Sequence, residues 1–226
     1  MGNSISLSDK KSICLLNNAE FDGIIFDVDG TLWDSTPTVE RAWNDALVSF
    51  GINDAKVTAD ILKGLFGLPM DDIIEKILPN ESIERRMEFK PLCFDFEHRY
   101  IEEFGALVYE GVEEMFEALS KEHKLFIVSN CQAGYIELFL KKTGMGEYIS
   151  DHLCPGDTNL LKADNIKMIA EKNGLKKPIY IGDTHMDHEA CKSAEVPFIF
   201  AAYGFGKSDN PDYIIESPLE LIGKNF

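Results

Sequence analysis

The chain has 226 residues, enough for one large domain or two small ones with a real hydrophobic core. At 45% hydrophobic and 27% charged residues it has the composition of an ordinary globular protein. Its net charge of −17 argues against a nonspecific nucleic-acid binder, whose phosphate contacts need a basic face, and against a polybasic membrane anchor.

Five cysteines stand at 14, 93, 131, 154 and 191, an odd number with no C-x-x-C pair. Free thiols in a reducing compartment are the plain reading, so a cytoplasmic location is expected. No apolar stretch approaches the roughly 18 residues of a membrane-spanning helix, and no signal-peptide core follows the start. The opening "MGNSIS" matches the myristoylation pattern through Gly2 and Ser6. Such short patterns match often by chance, and one acyl chain binds membranes only marginally. Residues 1–20 are therefore read as a polar N-terminal extension, and no stable membrane association is expected.

The first strand is predicted at 23–27 (GIIFD) and leads directly into "DVDGT". Unpaired buried carboxylates are costly, so Asp27 and Asp29 at a strand end need something to neutralise them. Residues two apart in an extended chain point to the same side. Gly30 suits a turn needing positive φ, and Thr31 can hydrogen-bond the backbone there.

Residues 36–105 show helical periodicity and no convincing strand. Val39, Ala42, Trp43, Ala46, Leu47 and Phe50 form an amphipathic stripe. "GLPMDDIIEKIL" predicts a turn followed by a helix with acids in its first turn. The stretch 81–104 is expected to be helical and broken or kinked near Pro91. This segment holds 14 acids and 8 bases, a net charge of −6.

Strands and helices then alternate. Further strands are predicted at 124–129, 178–182, 197–201 and 212–215, with a weaker one at 148–154. Helices are predicted at 111–121, 132–143, 162–173 and 185–194. This order implies an α/β fold: a parallel, Rossmann-like sheet covered on both faces, with an all-α insertion after its first strand. Ligands of such sheets sit beyond the carboxyl ends of the strands. Asp27, Ser129 and Asp183 all fall at or just past such ends.

Asp27, Asp29, Asp183 and Asp187 form an all-oxygen set without matching His or Cys, which points to Mg²⁺. Ser129 and Asn130 offer a hydroxyl, an amide and backbone N–H groups. Lys162 stands just inside a helix start, an electrostatically odd place for a cation, and a phosphate partner would explain it.

Four motifs together carry a resemblance: "DVDGT" at 27–31, "SN" at 129–130, Lys162, and "GDTHMD" at 182–187. With them the chain resembles the haloacid dehalogenase superfamily, in its phosphoglycolate-phosphatase-like branch with a small helical cap. The likeness covers about residues 22–216. One departure is Glu110, where this branch often has proline.

The resemblance implies a phosphatase acting on a small phosphorylated metabolite. It implies a core of 21–35 and 106–226 and a cap of 36–105. Asp27 would be the nucleophile, forming an aspartyl-phosphate, and Asp29 the proton donor and then acceptor. Mg²⁺ would be held by the Asp27 carboxylate, the Asp29 main-chain carbonyl and Asp183, with Asp187 steering Lys162 or a metal-bound water. Ser129 and Lys162 would hold phosphoryl oxygens, and Gly30, Thr31 and Asn130 would complete the phosphate site. Family dehalogenases lack an aspartate at the position of Asp29, so its presence favours phosphoryl transfer. Specificity is expected near 64–70 and around Arg41, Lys63, Arg85 and Arg86, although any one of these bases reads first as a solvated partner of the surrounding acids. The rival reading on the same scaffold is a phosphomutase like β-phosphoglucomutase.

Overall fold

A computed structural model describes residues 21–222. The Gly2 and Ser6 pattern lies outside the described residues. Strand β1 (Gly23–Phe26) is fully buried, and a two-residue strand β2 (Trp33–Asp34) follows the turn beyond it. Four helices come next: α1 (Thr36–Ser49), α2 (Ala59–Lys63), α3 (Met70–Ile77) and α4 (Ile83–Phe104). The chain returns through β3 (Leu107–Val108), which pairs antiparallel with β2. Then come α5 (Val112–Leu119), β4 (Lys124–Val128), α6 (Tyr135–Thr143), β5 (Ile149–Leu153), α7 (Pro155–Thr158) and α8 (Lys162–Asn173). Next come β6 (Pro178–Gly182), α9 (His185–Ala194), β7 (Phe198–Ala201) and β8 (Tyr213–Ile215), and a short 3-10 turn at Pro218–Leu221 follows.

Six strands form one parallel sheet in the order β5-β4-β1-β6-β7-β8. The chain builds outward from β1 on one side, then returns to build outward on the other. The resulting crevice, beyond the carboxyl ends of β1, β4 and β6, is where ligands of open α/β sheets bind.

Alternation along the strands feeds two cores. Ile24, Phe26, Leu125, Ile127, Ile179 and Ile181 face the one shared with α1, α4, α5 and α6. Ile25, Phe126, Tyr180 and Phe198 face the other, beneath α8 and α9. Burial on both faces explains why the strands read as unbroken apolar runs.

The inserted helices are locally encoded. Pro37 occupies the first turn of α1, where its missing N–H is no loss. Thr58 and Ser82 cap α2 and α4, accepting from the N–H groups of Ile61 and Arg85. Of the break or kink expected at Pro91, the break is absent, since α4 continues through it. The proline frees only the carbonyl four residues back, that of Met87, an exposed residue whose carbonyl water can serve. Opposite it, Phe89 and Cys93 are buried on the packed side. The β2–β3 ribbon and α7 were absent from the sequence reading; at two and four residues they are too short to carry a period.

Ile25 is fully buried, in register with Phe126 on one side and Tyr180 on the other. Ile25→Ala is expected to cost about 2–5 kcal/mol of unfolding free energy, read from urea denaturation. A loss below about 1 kcal/mol would mean that the site collapses far more readily than a packed sheet core allows.

Candidate active site

Asp27 is the first residue beyond β1, and its N–H still donates to the Ile181 carbonyl of β6 at 2.9 Å. The next residues turn tightly, with the N–H groups of Thr31 and Leu32 donating to the Val28 carbonyl. Gly30 makes that turn possible. Its φ is +84°, and a Cβ there would lie 2.1 Å from Oδ2 of Asp183. Thr31 does not serve the turn's backbone as expected; its hydroxyl reaches across to Asp183 Oδ1 at 3.3 Å.

The loops after β1, β4 and β6 bring together Asp27, Ser129, Lys162, Asp183 and Asp187, all buried. Lys162 opens α8 and sends its side chain inward. Its Nζ lies 2.9 Å from Asp27 Oδ1 and 2.5 Å from Asp187 Oδ1. Burial works to lower its pKa, but the charges and hydrogen bonds of Asp187 and Asp27 outweigh this and hold the ammonium above its ordinary value. The odd cation at a helix start is therefore a buried ion-pair partner.

Asp27 feels the same burial. Its carboxyl is pushed up to about 6, with Lys162 opposing the shift, Asp187 adding repulsion, and a Ser129 hydrogen bond favouring the charged form. Asp183 is also driven up by burial and by repulsion from Asp187 and Asp27, although the Phe205 N–H donates to its Oδ2 at 2.7 Å.

Asp187 is held more firmly. It closes a capping box with Thr184 at the start of α9, accepting at Oδ2 from the Thr184 N–H and hydroxyl at 2.9 and 2.6 Å. Its Oδ1 faces Lys162.

Oxygens of Asp27, Asp183 and Asp187 lie within 4.8 Å of one another. Three carboxylates around one ammonium leave a negative surplus in a buried place, and an all-oxygen donor set suits a hard divalent cation. Asp187 already faces the Lys162 ammonium, whereas Asp183 accepts from the neutral Thr31 hydroxyl and Phe205 N–H, so Asp183 is the acid of the three that pairs with no cation among the described residues.

Asp29 is set apart from this cluster. Its Oδ1 accepts from Trp33 Nε1 at 3.1 Å, from the Tyr135 hydroxyl at 2.9 Å, and from the Ser35 hydroxyl. Burial nevertheless pushes its carboxyl up to about 7, against the Ser35 and Tyr135 hydrogen bonds. A carboxyl in this state can both give and take a proton near neutral pH.

A cavity of about 40 Å³ joins these groups to the inserted helices. Asp27, Asp29, Ser129, Asn130, Gln132 and Lys162 form its floor, and Trp43, Phe66, Gly67, Met70 and Ile73 its roof. Of the expected specificity segment 64–70, three residues are in that roof. The expected basic residues are elsewhere. Arg41 lies over the Phe104 ring, and Lys63 pairs with Asp34 at 2.9 Å. Arg85 pairs with Glu81 and Glu88, and Arg86 with Glu75. Asn130 donates its side-chain amide to the Gly67 carbonyl at 2.8 Å, joining floor to roof.

Sequence reasoning missed Trp33, Ser35, Tyr135, Gln132, Trp43 and Glu97. Glu97 had left a signal. Phe89, Cys93, Glu97 and Ile101 are four apart and all buried along α4, so one member of an apolar stripe is an acid. Its two oxygens accept from Trp43 Nε1 at 2.7 Å and Gln132 Nε2 at 2.8 Å.

Burial pushes the Glu97 carboxyl from its ordinary 4.5 up to about 7, against the Gln132 and Trp43 hydrogen bonds. The folded chain therefore keeps a proton that the unfolded chain has shed between about pH 4.5 and 7, and its stability falls as pH rises through that window. Glu97→Gln removes this titration. Urea denaturation at intervals from pH 4.5 to 8 should show the variant gaining on the wild type as pH rises to about 7, then tracking it. Parallel curves across the range would contradict the assignment.

Comparisons with known proteins agree with this geometry. The sequence profile of the haloacid dehalogenase-like hydrolases matches residues 24–201. A phosphoglycolate phosphatase from Photobacterium profundum is 28% identical over 90% of this chain and 96% of its own. An N-acetylmuramic acid 6-phosphate phosphatase from Pseudomonas aeruginosa is 25% identical over 88% and 92%. The solved structure of a haloacid dehalogenase-like hydrolase from Streptococcus pneumoniae superposes with a TM-score of 0.79 at 22% identity, covering 89% of this chain and 96% of that one. The chain belongs to the haloacid dehalogenase-like hydrolases.

Proposed function

We propose that this protein hydrolyses a small phosphomonoester in a Mg²⁺-dependent reaction through an aspartyl-phosphate on Asp27. The observation that carries the reading is the Lys162 ammonium between Asp27 and Asp187, with the protonatable Asp29 two residues from Asp27. The relatives' names point the same way, each being a phosphatase of a small phosphorylated molecule.

In the first step Asp27 attacks phosphorus, the bond from phosphorus to the leaving oxygen breaks, and Asp29 gives that oxygen its proton. In the second, Asp29 takes a proton from water as the water oxygen attacks the phosphorus of the aspartyl-phosphate, which releases inorganic phosphate and regenerates Asp27. Lys162 and Ser129 stabilise the phosphoryl oxygens in both steps. Thr31 and Asp187 act indirectly, by holding Asp183 and Lys162. Asp27, Asp183 and the Asp29 main-chain carbonyl would hold Mg²⁺, which supplies positive charge to the carboxylates and the phosphoryl group.

In this reading residues 21–35 and 106–226 are the catalytic core. Residues 36–105 are a cap that excludes water while the phosphoenzyme forms. A mutase would need a committed cationic pocket for a second phosphate. Pairing of Arg85 and Arg86 with neighbouring acids favours water as the acceptor instead. The four described cysteines are free thiols, which suits the cytoplasm.

Asp27→Asn should keep the fold and lose turnover, measured as phosphate release beside a circular dichroism spectrum; a folded, active variant would sink the nucleophile's role. Removing the charge in Lys162→Ala should cost on the order of 10²-fold in kcat/KM. A change below about threefold would show that the lysine does not act on the phosphoryl group. Excess EDTA should abolish phosphate release and added Mg²⁺ restore it. Full turnover in chelator would remove the metal from the reaction.

A further inference from the structure

The phosphatase reading leaves the leaving group unspecified, and the cavity constrains it. Where the phosphoryl group would sit, the floor is charged and polar: Asp27, Ser129 and Lys162. The side that would receive the rest of the substrate is different in kind. Trp43, Phe66, Met70 and Ile73 present apolar surface there.

Among the described residues lining the cavity, Lys162 is the only cation, and it is already shared between Asp27 and Asp187. The amides of Asn130 and Gln132 are the remaining polar side chains on the wall, and each already commits a proton to the Gly67 carbonyl or to Glu97.

No base of the inserted helices lines this cavity. Lys63, at the end of α2, is drawn to Asp34 and lies over the Phe205 ring, with its ammonium 5.5 Å from the ring centre. Lys90 pairs with Asp71 at 2.7 Å, and Arg86 also donates to the Leu78 and Pro79 carbonyls. The group behind the apolar wall offers an anion no counter-charge either. Glu97 lies directly behind Trp43 and Gln132, bonded to both.

A second phosphate or a carboxylate on the substrate would leave water here and meet no counter-charge, a costly arrangement. A neutral alcohol with a compact apolar body would instead bury its carbon against Trp43, Phe66, Met70 and Ile73.

Resting on the phosphatase reading, we infer that the substrate is a phosphomonoester of a small uncharged alcohol, selected by the Trp43, Phe66, Met70 and Ile73 wall against anionic leaving groups. The hydrogen bonds of Glu97 to Trp43 and Gln132 hold part of that wall in place.

A matched pair tests this. 2-Hydroxyethyl phosphate and phosphoglycolate are nearly equal in size and differ in a neutral hydroxymethyl against a carboxylate. With the full chain and Mg²⁺, kcat/KM for phosphate release should favour 2-hydroxyethyl phosphate by at least about tenfold. p-Nitrophenyl phosphate, another ester with an uncharged leaving group before cleavage, should likewise exceed phosphoglycolate. Equal or greater efficiency on phosphoglycolate than on both neutral esters would overturn the inference and leave the phosphatase reading standing. Phosphate release from none of the three would overturn the inference, and release from no member of a broad phosphomonoester panel would overturn the phosphatase reading as well.

Discussion

The structure of the site depends on one buried ammonium. Three carboxylates, Asp27 and Asp183 at strand ends and Asp187 in the first turn of α9, crowd into a place from which water is largely excluded. Without a cation that arrangement would be prohibitive. Lys162 supplies one positive charge, reaching inward from the first residue of α8 to two of the three acids. Its position requires α8 to begin where it does, and hence β5 and α7 before it to set the approach. Asp187 fixes the other side through the capping box that starts α9. Electrostatic balance and secondary-structure capping are thus served by the same few side chains.

Beside that charged cluster stands a carboxyl of another kind. Asp29 is ringed by the neutral donors Trp33, Ser35 and Tyr135, and its pKa is raised close to neutrality. Two aspartates only two residues apart thereby acquire different chemistry. One is paired with an ammonium and suited to attack; the other is buried among neutral donors and suited to exchange a proton. The β1 turn produces this division, and Gly30 allows the chain to pass so close to Asp183.

Much of this was legible in the sequence. Apolar runs closing on Asp27, Ser129 and Asp183 reported the parallel sheet and its functional edge, because strands buried on both faces leave a continuous hydrophobic trace. The oddity of a lysine at a helix start pointed to Lys162. What the sequence concealed were contacts between distant segments. Trp43 read as an ordinary member of an apolar stripe and Tyr135 carried no signal, yet α1 brings Trp43 to the cavity and α6 brings the Tyr135 hydroxyl to Asp29. The acids interleaved with Arg85 and Arg86 already suggested local pairing, and Glu75, Glu81 and Glu88 do pair with them. Of the break or kink expected at Pro91, the break did not occur, since a single lost hydrogen bond on an exposed helix side is tolerated when the opposite side is packed.

The central claim is that Asp27 carries the phosphoryl group between the two half-reactions. Its most direct test is acid quenching during steady-state turnover, followed by borohydride reduction and peptide mass spectrometry. Reduction of an aspartyl-phosphate converts that residue to homoserine. The account predicts homoserine at position 27 only when substrate is present, with the other aspartates unchanged. Label at another aspartate, or active turnover from which no acyl-phosphate can be trapped by rapid quenching, would contradict it.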